Sequence, residues 1–111
     1  MTVTSKPIIQ AKAAESSLTA QYTVPAGTRA IIDKFTGTNT TMLGAVLTVH
    51  LIPSGGSAGD SNKILAKTIA AGECYTCPEV VGHTLNPGDV ISTIASSAAA
   101  VTIRSTAREV T

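Results

Sequence analysis

A chain of 111 residues is read as one domain, long enough to bury roughly two-thirds of its unfolded surface. Eight Lys and Arg stand against seven Asp and Glu, a net charge of +1 with no block of like charge, so nucleic acid and anionic membranes are not expected as partners. No run approaches the ~20 apolar residues of a membrane helix, and residues 1–17 lack the apolar stretch of a signal peptide. The protein is expected to be made and kept in a cytoplasm, or assembled into something there.

Charged residues make up 14%, below the usual quarter, and the mean hydropathy is positive. With no membrane span to explain this, part of the surface is expected to be covered by a partner. Seventeen threonines, no tryptophan and three aromatics, Tyr22, Phe35 and Tyr75, favour pleated, half-buried surfaces. Two cysteines do not make a disulfide framework.

Residues 1–14 read as an extended N-terminal arm and residues 15–111 as the folded domain. Pro7 with Ile8 and Ile9 is an extended, apolar segment between polar flanks. It is an arm that docks on a neighbour, a frayed terminus or an ordinary edge strand. Leu18, Ala20, Tyr22 and Val24 then alternate with Thr19, Gln21 and Thr23, a period of two. Pro25 and Gly27 mark a tight turn, and Ala30, Ile31, Ile32 and Phe35 give a second strand, closing an opening hairpin. Residues 37–41 read as a polar turn. Residues 44–52 give the clearest strand, with Leu47, Val49 and Leu51 on one face and Thr48 and His50 on the other. The loop 53–62 is not a phosphate cradle, because Asp60 stands where a P-loop needs Lys and no helix follows.

Residues 63–69 form a strand, closed by the turn 70–73. Residues 74–81 form another, broken by Pro78 and so at an edge or bent. The turn Asn86-Pro87-Gly88-Asp89 is of type II. Residues 90–95 and 100–110 are the last two strands, with Val101 and Ile103 facing in and Thr102 and Arg104 facing out. Turn signals every 8–12 residues with hardly a helical period predict an all-β sandwich or barrel.

Chemistry is sparse. Cys74 and Cys77 form a single CxxC, but a structural zinc site needs four ligands and only His50 and His83 could complete it. In an extended segment the two Cα atoms are about 10 Å apart, too far for a disulfide. A redox CxxC needs a helix after it. The pair therefore reads as two small, semi-buried thiols. His50 and His83 read as surface histidines, and Asp33, Asp60, Asp89, Glu73 and Glu79 as turn residues. No nucleophile elbow occurs. The chain is expected to be non-enzymatic, without catalytic residues, metal or cofactor. Carbohydrate binding, common among small β-sandwiches, is the alternative, weakened by the few aromatics available to stack sugars or bases.

The run Tyr22-Thr23-Val24-Pro25-Ala26-Gly27-Thr28 with Ile31, Ile32 and Asn39, the later Ile69-Ala70-Ala71-Gly72-Glu73, and Leu85-Asn86-Pro87-Gly88-Asp89-Val90-Ile91-Ser92 resemble a structural module of tailed-phage particles. Layout and length are most similar to the capsid decoration, cement or staple proteins of epsilon-fifteen-like short-tailed phages. The resemblance covers the chain from about residue 18 onward and rests on turn motifs that fibre and baseplate modules share, so a carbohydrate-binding or receptor-binding β-sandwich module of a phage tail fibre is the alternative. It implies a jelly-roll-like antiparallel β-sandwich of about eight strands. It also implies a virion structural protein on the capsid surface, a dimer or trimer that clamps neighbouring subunits of the major capsid protein. The contacts are expected from the arm, at Lys6, Pro7, Ile8 and Ile9, and from the exposed ends of the sandwich.

Overall fold

The computed structural model, which describes residues 1–111, has nine strands in two antiparallel sheets. In chain order they are β1 (Val3–Ala13), β2 (Thr19–Thr23), β3 (Arg29–Asn39), β4 (Ala45–Ile52), β5 (Lys63–Ile69), β6 (Cys74–Tyr75), β7 (Thr84–Leu85), β8 (Val90–Ala95) and β9 (Val101–Val110). Sheet A runs β1-β9-β3, with β6 and β7 both on the far edge of β3; sheet B runs β2-β8-β4-β5. Counting β6 and β7 as one interrupted strand, the first strand pairs with the last, the second with the next to last, and so inward to β4 with β5. That nested pairing, rolled into two packed sheets, is a jelly roll.

Alternation explains the core. Ala30, Ile32, Phe35, Leu47, Val49, Ile69, Ile91, Val101, Ile103 and Ala107 are all fully buried between the sheets. Ile32 and Phe35 are three apart and would face opposite ways on a regular strand. A register shift between Ile32 and Lys34 against β9 absorbs one residue and turns both inward. Gly37 also faces in, and a Cβ there would stand 2.9 Å from Leu47 Cδ2. The missing side chain lets β3 approach sheet B.

Three turns share one chemistry. Residues 25–28, 70–73 and 86–89 each close with a hydrogen bond from the fourth N–H to the first carbonyl, at 3.2, 3.0 and 3.0 Å. Their third residues, Gly27, Gly72 and Gly88, have φ of 71°, 72° and 86°, the type II requirement. The first of these does not make the expected hairpin. β2 lies in sheet B and β3 in sheet A, so the turn carries the chain between layers. It is held there by Val24, whose N–H donates to Asp89 O at 2.9 Å and whose carbonyl accepts from Gly88 N at 3.0 Å.

Residues 37–41 are likewise not a turn up to Asn39. β3 continues through it, and the bend follows at residues 41–43. Asn39 is fully buried and fully used. Its Nδ2 donates to Leu43 O and Ile69 O at 2.7 and 2.9 Å, and its Oδ1 accepts from Thr41 N and Thr41 Oγ1 at 2.9 and 2.7 Å. Asn39→Ala removes the buried donor to Ile69 O, one of the two donors to Leu43 O and the acceptor of Thr41 N and Oγ1, and is expected to lower the unfolding free energy by about 3 kcal/mol, measured by urea denaturation. A change below about 1 kcal/mol would mean that water replaces the amide.

Residues 1–14 are extended but do not project. From Val3↔Val110 to Ala13↔Thr102, β1 pairs with β9 through two register shifts. Ile8, Ile9 and Ala14 belong to the core, at 9, 3 and 1% exposure. Of the readings left open by the sequence, the edge strand is the one observed, and the expected boundary at residue 14 falls within the sandwich.

Candidate interaction surfaces

The residues singled out for chemistry are scattered or spent. After Tyr75 the chain leaves sheet A in a turn stabilised by hydrogen bonds from Val80 N and Val81 N to Cys77 O, so the strand expected over residues 74–81 is only two residues long. Cys74 is exposed, Cys77 is buried, and both are free thiols. Burial, aided by the Glu79 carboxylate and then Cys74, pushes the Cys77 thiol up to about 12. A native chain should therefore react with a disulfide reagent at pH 8 at one thiol, with the second appearing only on unfolding. Two equally fast thiols would contradict this. Above about pH 9 the unfolded chain loses a proton that native Cys77 keeps, so this thiol's contribution to stability declines as pH rises from 9 toward 12.

His50 is not on the surface. It is 7% exposed, where β4 shifts register against β5 between Val49 and His50. Its Nδ1 lies 2.8 Å from Asn62 Oδ1. That oxygen also accepts from Gly59 N at 3.1 Å, while Asn62 Nδ2 donates to Ser57 O at 2.8 Å. The amide oxygen thus faces the ring, which makes Nδ1 the donor, and the trio pins the long loop to β4. His83 is exposed and its Nε2 donates to Glu79 O at 3.0 Å. Asp33 is at the β3 register shift rather than in a turn, ion-paired to Arg108.

An open cleft of about 360 Å³ between β4, β5 and β7 is lined by Leu51, Ile64, His83, Leu85 and Asp89, among others. Its carboxylate is already engaged, since the Asp89 oxygens accept from Ser54 N and Asn86 N at 3.0 and 2.9 Å. No group of three or more His, Cys, Asp or Glu side chains is placed to hold a metal ion.

The aromatics close the sandwich. Phe35 fills its centre. At the β1–β2 side, the Tyr22 hydroxyl donates to Glu109 Oε2, and Glu109 Oε1 lies 3.4 Å from Lys6 Nζ. Burial first, then the Glu109 carboxylate, raise the Tyr22 hydroxyl above its ordinary value. At the β5–β6 side, Lys67 Nζ stands 5.1 Å from the centroid of the Tyr75 ring, whose hydroxyl donates to Glu79. No ring is left as a free platform.

Of the expected contact residues, Ile8 and Ile9 are core side chains and cannot meet a partner in the folded protein. Lys6 and Pro7 are exposed. Together with Lys12 and the register shifts, they are the devices that blunt an edge strand against pairing. Exposed large apolar side chains occur at Met1, Val3, Leu18 and Val81, and two of the most exposed are consecutive: Met42 and Leu43, 93 and 78% exposed, in the β3–β4 loop. That loop is held still, because Leu43 O accepts from both Asn39 Nδ2 and Thr41 Oγ1, at 2.7 and 2.9 Å.

Sequence reading also missed a cluster of charge. On β3 and β9 the buried positions alternate with Arg29, Ile31, Lys34 and Thr36, and with Thr102, Arg104, Thr106 and Arg108. The pairs Ile31↔Arg108, Lys34↔Thr106 and Thr36↔Arg104 bring four cations onto the outer face of sheet A. The outward setting of Arg104 is visible in the sequence; its neighbours on β3 are not.

Strand order and register thus define an antiparallel jelly-roll sandwich. No family model and no curated protein matches the chain. Among solved structures it is similar to a chain of the Bacillus endospore appendages, described as a novel family of disulfide-linked pili. The TM-score is 0.60 and the identity 16%, over 99% of this chain and 88% of that one. The likeness is one of fold.

Proposed function

We propose that this protein is a non-enzymatic structural protein of a phage particle. It binds the assembled capsid shell, as a dimer or trimer on its surface, and stabilises contacts between subunits of the major capsid protein. The observation that carries the reading is the Met42–Leu43 tip: two large apolar side chains held in solvent on a hydrogen-bonded loop. Exposed apolar groups of this kind are where partners bind, and fixing the loop in advance reduces the ordering cost of association. The turn motifs supply the phage context, and the similar sandwich in Bacillus endospore appendages belongs to pili. Many weak copies on one shell act together. Sugar binding is disfavoured by the engagement of all three aromatics.

Of the expected contacts, the arm and the ends of the sandwich, this reading puts weight on an end, at Met42 and Leu43, because Ile8 and Ile9 are core side chains. The double variant M42S/L43S is expected to bind shells about tenfold more weakly or worse with an unchanged melting temperature. Binding equal to that of the unsubstituted protein would remove the tip from the interface.

A further inference from the structure

A net charge of +1 conceals an uneven distribution. Arg29, Lys34, Arg104 and Arg108 share the outer face of sheet A with one carboxylate, Asp33. Asp33 is engaged by Arg108, whose Nε lies 3.0 and 3.1 Å from its two oxygens. Each cation elsewhere has a partner of its own: Lys6 with Glu109, Lys12 with Glu15, Lys63 with Asp60, and Lys67 over Tyr75. Arg29, Lys34 and Arg104 are exposed and have none. The outer face of sheet B shows the contrast, since Val46, Thr48, Ala66, Thr68 and Ile94 carry no charge across its centre. Beside Lys34 a hollow of about 280 Å³ opens between β3 and the turn after β6, lined by Asp33, Thr36, Thr76, Pro78 and Val81.

We infer that the outer face of sheet A docks on a folded protein partner that presents Asp and Glu carboxylates to Arg29, Lys34 and Arg104. This rests on the reading of the chain as a protein-docking module and names the chemistry of its partner. The face runs along β3 toward Asn39, and the Met42–Leu43 tip lies in the loop that follows β3. Charge on such a face steers encounter and fixes register. Guanidinium forks match carboxylates two bonds at a time.

A protein partner fits better than a polyanion. Nucleic acid is held by rows of cations along a groove, with aromatic stacking for single strands. Here the face is a sheet, the free cations are three, and the rings are occupied. Asp33, fixed among the cations, would repel a continuous row of phosphates but can face a discontinuous pattern of acids. The hollow beside Lys34 is open to a partner side chain.

The test compares two triple variants of equal net charge, R29Q/K34Q/R104Q on the face and K12Q/K63Q/K67Q off it. Each is passed over a carboxymethyl matrix at neutral pH, titrated onto coat-protein shells, and mixed with a short DNA duplex at physiological salt. The unsubstituted protein and the off-face triple should be retained on the matrix and eluted by salt, while the face triple flows through. On shells the face triple should bind about tenfold more weakly and the off-face triple within about twofold. Equal loss in both triples would mean that net charge alone matters, and would overturn the inference. Tighter binding of the unsubstituted protein to the duplex than to shells would overturn it in favour of nucleic acid. If the unsubstituted protein ignores shells, the proposed function fails, and the matrix comparison still decides whether this face is a carboxylate-binding surface.

Discussion

Removal of residues 1–14 is expected to abolish cooperative folding, not merely a contact. The truncation deletes β1, leaves β9 with an unpaired edge, and takes Ile8, Ile9 and Ala14 out of the core. Each buried isoleucine is worth about 1.5–3 kcal/mol. The hydrogen bonds along β1 and the exposed flank of β9 add to that loss. The sum approaches the whole stability of a small domain, about 5–15 kcal/mol. Circular dichroism against urea should show a broad, non-cooperative change or an insoluble product. A truncated chain that unfolds cooperatively within about 1 kcal/mol of the full one would show β1 to be dispensable. A truncated chain that fails to bind shells would, by itself, report only on folding.

Phe35→Ala is expected to cost about 3–5 kcal/mol. Phe35 is the one phenylalanine, fully buried, and the largest of the fully buried side chains. It sits near the middle of β3, which pairs with β9 on one edge and with β6 and β7 on the other. The surrounding side chains come from both sheets and cannot collapse into the void without bending one of them. Phe35→Leu keeps much of the volume and should cost markedly less. A loss below about 2 kcal/mol for the alanine variant, measured by urea unfolding, would mean that the core repacks freely.

The strands that alternate cleanly were readable. Residues 63–69 and 90–95 coincide with β5 and β8, and Val101 and Ile103 point inward while Thr102 and Arg104 point out. The three glycine turns were readable because each has one residue that must take positive φ. What those turns connect was not. Turn chemistry sets the local path of four residues, whereas the choice between a hairpin and a crossing from sheet B to sheet A depends on which distant strand, β8 or β9, takes the edge. Asn39 and Gly37 looked like a turn because buried asparagine and core glycine are uncommon. Their reasons, two carbonyls to satisfy and Leu47 to admit, lie on other strands. His50 was misplaced for a similar cause, since a register shift and a loop twelve residues on cover it. The basic face was invisible because its residues are single cations at positions 29, 34, 104 and 108, joined only by the β3–β9 register.

The most direct measurement is co-sedimentation of the purified, unsubstituted protein with empty coat-protein shells, with unassembled coat subunits as the control. Saturable binding to shells at a fixed number of copies per coat subunit, with none to free subunits, is the expected result for a protein that recognises assembled geometry. Absence of binding to shells, or equal binding to free subunits, would contradict it.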